Sequence, residues 1–174
     1  MITVIRFDNL DVMFSATASS ATDKSELYQE LRLQLASLLA GELDSIANAA
    51  NTAALLYHSM PDVNWVGFYF LKGRDLVLGP FQGKPACVRI PLGKGVCGAA
   101  AQRRESLVVP DVNAFPGHIA CDAASRSELV VPLVGNGAMI GVLDLDSPLS
   151  GRFDEADRAG CESLVAIYLD SLKE

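Results

Sequence analysis

The feature that most restricts what this chain can fold into is a change of hydrophobic period near residue 62. Before it, apolar residues recur at helical spacing; after it they alternate at period two, as in strands. Leu27, Leu31, Leu35, Leu38 and Leu39 line one helical face. Thr22 is the expected N-cap, Asp23 and Glu26 suit the dipole of the first turn, and Gly41 ends the helix. A second helix is expected over 43–60, with a stripe of mostly small residues at Ile46, Ala49, Ala50, Ala53 and Leu56, and Pro61 stops it. From Val63 the pattern predicts strands over 65–71, 75–81 and 86–90. A Gly-rich turn then enters a small-residue helix over 93–102, followed by a short strand at 107–109. Strands at 127–134 and 138–145 form a hairpin around Gly135-Asn136-Gly137, and Asp154 caps a closing helix carrying Leu164, Val165, Tyr168 and Leu172. This order specifies an α+β domain in layers, with helices covering one face of a mostly antiparallel sheet. Residues 1–22 read as an N-terminal arm and 23–174 as one domain.

Charge narrows the function. The net charge of −7 argues against nucleic acid, whose phosphates need clustered Lys and Arg, and against an anionic membrane surface. No apolar run approaches the roughly 20 residues of a membrane span, and the first ten residues lack the pattern of a signal peptide. A cytoplasmic location follows as the expectation, with the four cysteines reduced.

One connection is out of proportion. Positions 110–126 hold two prolines, a glycine and Cys121 with little periodicity, and connections of that length tend to bind or catalyse. Cys87 and Cys97 flank the Gly-rich turn, so three thiols fall in Gly- and Pro-rich segments where a disulfide could form without breaking a core. Structural zinc sites use Cys or His pairs two to four residues apart. Neither the cysteines nor His58 and His118 show that spacing, so no metal is expected. Cys161 lies at an interior position of the closing helix and reads as a small buried hydrophobe.

Asp144 and Asp146 lie two apart on one strand and share a face, extending a row begun by Ile140 and Val142, so they face either water, as solvated edge acids, or a polar pocket. Whether Glu128 joins them depends on the hairpin. A three-residue loop, with Gly137 in the left-handed position, sets Glu128 directly opposite Asp144 and is the register expected. A two-residue Asn136-Gly137 loop slips the pairing by one and sends Glu128 to the other face. On the first strand, Trp65, Gly67 and Tyr69 share a face, two aromatics with a side-chain-sized notch between them or simply part of the core.

Taken as a group, these residues resemble a known family. Asn64-Trp65-Val66-Gly67-Phe68-Tyr69, the segment Gly79 to Cys87, the turn Gly93-Lys94-Gly95-Val96-Cys97-Gly98 and the run Val142 to Ser147 look like the free methionine-R-sulfoxide reductases, which are built on a GAF domain. The resemblance runs from about residue 23 to the C-terminus. It implies a six-stranded antiparallel sheet flanked by helices, a homodimer, and a substrate enclosed beneath the loop that carries the catalytic thiol. It implies no bound cofactor. Cys121 would be the attacking cysteine, Cys87 the main resolving cysteine and Cys97 an auxiliary thiol. Trp65 and Tyr69 would wall the methionine side chain; Glu128, Asp144 and Asp146 would hold its polar ends and supply the proton. The implied cycle passes through a sulfenic acid on Cys121 and a disulfide that thioredoxin, itself NADPH-linked, reduces. Acids around Cys121, Asp122 first, work against its ionisation. The alternative is a GAF-type sensor that binds a small ligand and catalyses nothing.

Overall fold

The computed structural model describes residues 23–119 and 122–173, so the N-terminal arm expected over 1–22 and Cys121 lie outside the described residues. Four helices and six strands follow in the order α1 (Lys24–Leu38), α2 (Ser45–Ser59), β1 (Trp65–Lys72), β2 (Asp75–Gly83), β3 (Arg89–Pro91), α3 (Gly95–Arg103), β4 (Leu107–Val109), β5 (Ser127–Gly135), β6 (Ala138–Ser147) and α4 (Glu155–Ser171). The strands form one antiparallel sheet in the order β3-β2-β1-β6-β5-β4.

The cap of α1 is Asp23 rather than Thr22: its carboxylate accepts from the Glu26 amide at 2.9 Å. Asp44 caps α2 in the same way, and Asp154 forms a capping box with Asp157 at the start of α4. Within the α2 stripe Ala49, Ala53 and Leu56 are buried, but Ile46 is exposed.

The core lies on both faces of the sheet. On one face, Leu27, Leu31 and Leu35 of α1, Ala49, Ala53 and Leu56 of α2, and Leu164, Val165 and Tyr168 of α4 pack onto Val66, Phe68, Leu129, Val131, Leu143 and Leu145. The other face is not bare, as an all-on-one-side arrangement requires. There α3 brings Val96, Cys97, Ala100 and Ala101 against Trp65, Tyr69, Val130 and Val142. Small residues allow this close seat: a side chain on Gly98 would strike the Pro91 carbonyl oxygen.

The hairpin corrects the expected register. Gly135 pairs with Ala138, so the loop has two residues; Asn136 (φ 51°) and Gly137 (φ 76°) are both left-handed, the signature of a type I′ turn. Such a loop alone would have sent Glu128 to the wrong face. A bulge reverses the slip: Val134 pairs with Met139 but Leu133 with Gly141, leaving Ile140 as the extra residue. Ile140 therefore packs on the α1/α2/α4 side, not in one row with Val142. Glu128 ends opposite Asp146 rather than Asp144, two residues from its expected partner and on the expected face.

Candidate active site

The register puts three carboxylates side by side. Glu128 pairs with Asp146 across β5 and β6, Val130 pairs with Asp144, and the α3 face of the sheet receives all three acids. With Cys97 from the first turn of α3, they line a cavity of about 30 Å³, roofed by His118, Ile119, Asp122 and Ser125 of the long connection. Glu128 and Asp144 are each 6% exposed. The Cys97 Sγ lies 3.7 Å from a Glu128 carboxylate oxygen, and Cys97, Glu128 and Asp144 present ligand-type atoms within 4.8 Å of one another.

These acids face no cation among the described residues. No Lys or Arg lines the cavity. His118 Nε2 is 4.0 Å from Glu128, but burial lowers its pKa and keeps it neutral. Asp144 Oδ1 is buried without a hydrogen-bond partner. Burial therefore raises the acids: Asp144 is pushed up to about 7, while Cys97, Glu128 and the Leu145 amide pull it partly back. Glu128 is driven well above the carboxylate range by burial and then by Asp144 and Asp146; Asp146 rises by burial and by Asp144. Like charges out of water cannot all stay ionised. Burial, then Asp144 and Glu128, raises Cys97 as well, so that at neutral pH it is a thiol.

Trp65 and Tyr69 share the α3 face but are not among the residues that line this cavity; their stacked rings have centroids 5.9 Å apart, and Phe81 also stacks on Trp65 at 5.4 Å. The notch over Gly67 is filled by the Trp65 ring itself, which a Cβ at Gly67 would strike. The polar ends of both aromatics hold the segment leading to Cys87. Trp65 Nε1 donates to the Lys84 carbonyl and Tyr69 OH to the Cys87 carbonyl, each at 3.0 Å. Cys87 is disulfide-bonded, whereas Cys97 and Cys161 are free thiols. Cys161 is fully buried 3.7 Å from Tyr28 OH, on the face covered by α1, α2 and α4.

Asp122, the acid expected to hinder the Cys121 thiolate, lines the cavity in its ionised form. It caps the turn to Ala124 at 2.9 Å and pairs with Lys84 at 3.4 Å, and the Ala124 amide and Lys84 lower its pKa. Sequence reasoning weighed His118 only as a member of a close metal-ligand pair and passed over Ser125. Both fall in the connection it singled out, and that adjacency was the available signal.

A sequence model of the GAF domain family matches residues 27–167. The chain is 61% identical over 137 residues to protein YtsP of Bacillus subtilis, covering 78% of this chain and 84% of that one. It is 54% identical over 144 residues to the free methionine-R-sulfoxide reductase of Escherichia coli, covering 83% of this chain and 87% of that one. The structure of the Neisseria meningitidis free methionine-R-sulfoxide reductase with its substrate superposes with a TM-score of 0.86 at 46% identity, over 91% of this chain and 96% of that one. The chain belongs to the GAF domain family and, within it, to the free methionine-R-sulfoxide reductases.

Proposed function

We propose that this protein reduces the R-sulfoxide of free methionine in the cavity between α3 and the 110–126 connection. The observation that carries the reading is the trio of Glu128 and Asp144, both buried, and Asp146, half-buried, with no facing cation among the described residues. Such a trio suits two tasks at once. A carboxylate left ionised binds the ammonium of a free amino acid, which a peptide-bound methionine lacks. A carboxyl that keeps its proton near neutrality donates it to the sulfoxide oxygen. The α3 N-terminus, where Lys94 supplies no side-chain cap, offers its free amides to the substrate carboxylate. Trp65 and Tyr69 wall the apolar part of the substrate.

Cys121 is the nucleophile in this reading. Its thiolate attacks the sulfoxide sulfur; the oxygen takes a proton from the trio, methionine leaves, and Cys121 carries the oxygen as sulfenic acid. The Cys87 thiol condenses with it, releasing water and forming a disulfide, which thioredoxin reduces by exchange. The disulfide-bonded state of Cys87, beside the free and protonated Cys97, supports Cys87 as the resolving residue and Cys97 as an auxiliary thiol. Function as a homodimer in the cytoplasm, with no cofactor bound, is part of the same proposal.

The test is a coupled assay in which thioredoxin, its reductase and NADPH recycle the protein, with each methionine sulfoxide diastereomer supplied separately. Turnover of the free R form, and not of the S form or a blocked peptide analogue, is expected. No turnover of the R form would leave the ligand-binding sensor as the better reading.

A further inference from the structure

We propose that Cys97, Glu128 and Asp144 form a binding site for one divalent cation of the zinc class, with water completing the coordination. The three ligand-type atoms of Cys97, Glu128 and Asp144 all lie within 4.8 Å of one another. His118 Nε2 stands 4.0 Å from Glu128 at the same cavity. One sulfur and two carboxylate oxygens, with a fourth position left to water, make a donor set that suits zinc and cobalt, whereas magnesium and calcium prefer oxygen alone.

An acidic cluster is common without a metal, so a second observation matters here. Asp144 is 6% exposed, lines the cavity and has one carboxylate oxygen with no hydrogen-bond partner. A buried, unpartnered carboxyl oxygen is costly, and coordination is a direct way to satisfy it. The donors are also held in place before any ion arrives. Glu128 and Asp144 sit on adjacent central strands in fixed register, and Cys97 is packed at the start of α3. Close-pair spacing in the sequence could not reveal such a site, because its donors come from α3, β5 and β6. Binding releases the Cys97 thiol proton to the buffer as the sulfur becomes a thiolate ligand. If the reading under Proposed function holds, the cation and the substrate ammonium compete for the same acids, and zinc inhibits turnover until a chelator removes it.

Cobalt(II) titrated into the reduced full-length protein tests the site directly, since a cobalt–thiolate bond gives a near-ultraviolet charge-transfer band. One equivalent should bind with that band. Cys97→Ser should abolish the band, Glu128→Gln should weaken binding at least tenfold, and Cys87→Ser, Cys121→Ser and Cys161→Ser should leave it unchanged. Unfolding melts check that each variant is folded, and Glu128→Gln decides the matter should Cys97→Ser not fold. The proposal is overturned by the absence of a saturable band, by a band that survives Cys97→Ser, or by one that disappears with Cys121→Ser. The titration reads binding, not activity, so its failure leaves the reductase reading untouched and the reverse also holds.

Discussion

Replacing Asp144 with Asn should stabilise this protein, and should do so far more at pH 8 than at pH 5. Burial raises the Asp144 carboxyl from 3.8 to about 7 in the fold. Between those values the unfolded chain has released a proton that the folded protein still holds. The folded state thus binds more protons there, and stability falls as pH rises through that window. At about 1.4 kcal/mol per pH unit, the full penalty above pH 7 is roughly 4 kcal/mol. At pH 5 most of the folded-state proton remains bound and the penalty is under about 2 kcal/mol. Asp144→Asn removes the charge while keeping the shape, and it also relieves Glu128 and Asp146, both of which Asp144 repels. Urea unfolding of wild type and variant in the same redox state should show a gain of roughly 4 kcal/mol at pH 8, on the order of 10 °C in melting temperature for a domain of this size. The gain should shrink by at least half at pH 5. A gain of equal size at both pH values, or a loss at pH 8, would refute the premise that this carboxylate is held in the fold against its own desolvation. The expected cost is functional, since the variant gives up part of the proposed ammonium and proton site.

Other outcomes follow from the same contacts. Asp157 is fully buried and accepts from Tyr28 OH at 2.9 Å and from Arg152 at 3.2 Å, and it also pairs with Lys24. Asp157→Ala strands Arg152 and should cost about 3–5 kcal/mol in urea unfolding. A Cβ at Gly160 would meet the Tyr28 ring where α1 crosses α4, so Gly160→Ala should cost about 1–3 kcal/mol in the same assay. In the coupled assay Cys121→Ser should abolish turnover, and Cys87→Ser should allow about one turnover before stalling as sulfenic acid. Cys161→Ser should leave the kinetics unchanged, and a large effect there would show that its buried position on the α1/α2/α4 face has been misjudged.

Much of the fold was legible because single-residue chemistry dictates it. Asp154 as a cap, the strand at 107–109 and the helical leucines of α1 stand where periodicity and capping put them. What escaped was set by tertiary context. Thr22 and Asp23 are both good caps, and only the chain's path selects the second. The close approach of α3 to the Pro91 carbonyl at Gly98 is a tertiary contact that propensity does not encode. The hairpin shows the limit most clearly. Asn136-Gly137 favours a two-residue turn, and nothing in the letters announces that Ile140 will bulge and return Glu128 to the face of Asp144 and Asp146. The acids were therefore found as a group, with the wrong partner inside it. His118 escaped because it was weighed only as a member of a close metal-ligand pair, whereas the fold brings it to Glu128 from ten positions away in sequence.

The central claim is that the chamber under the long connection stores a proton at neutral pH. Carbon-detected NMR of the side-chain carboxyls, followed from pH 3 to pH 9 in the substrate-free protein, reads this directly. At least one of Glu128, Asp144 and Asp146 should still be protonated at pH 7, with Asp144 changing state near that pH. If all three carboxyl carbons complete their titration below about pH 5, as solvated carboxylates do, the chamber holds no such proton and the account fails.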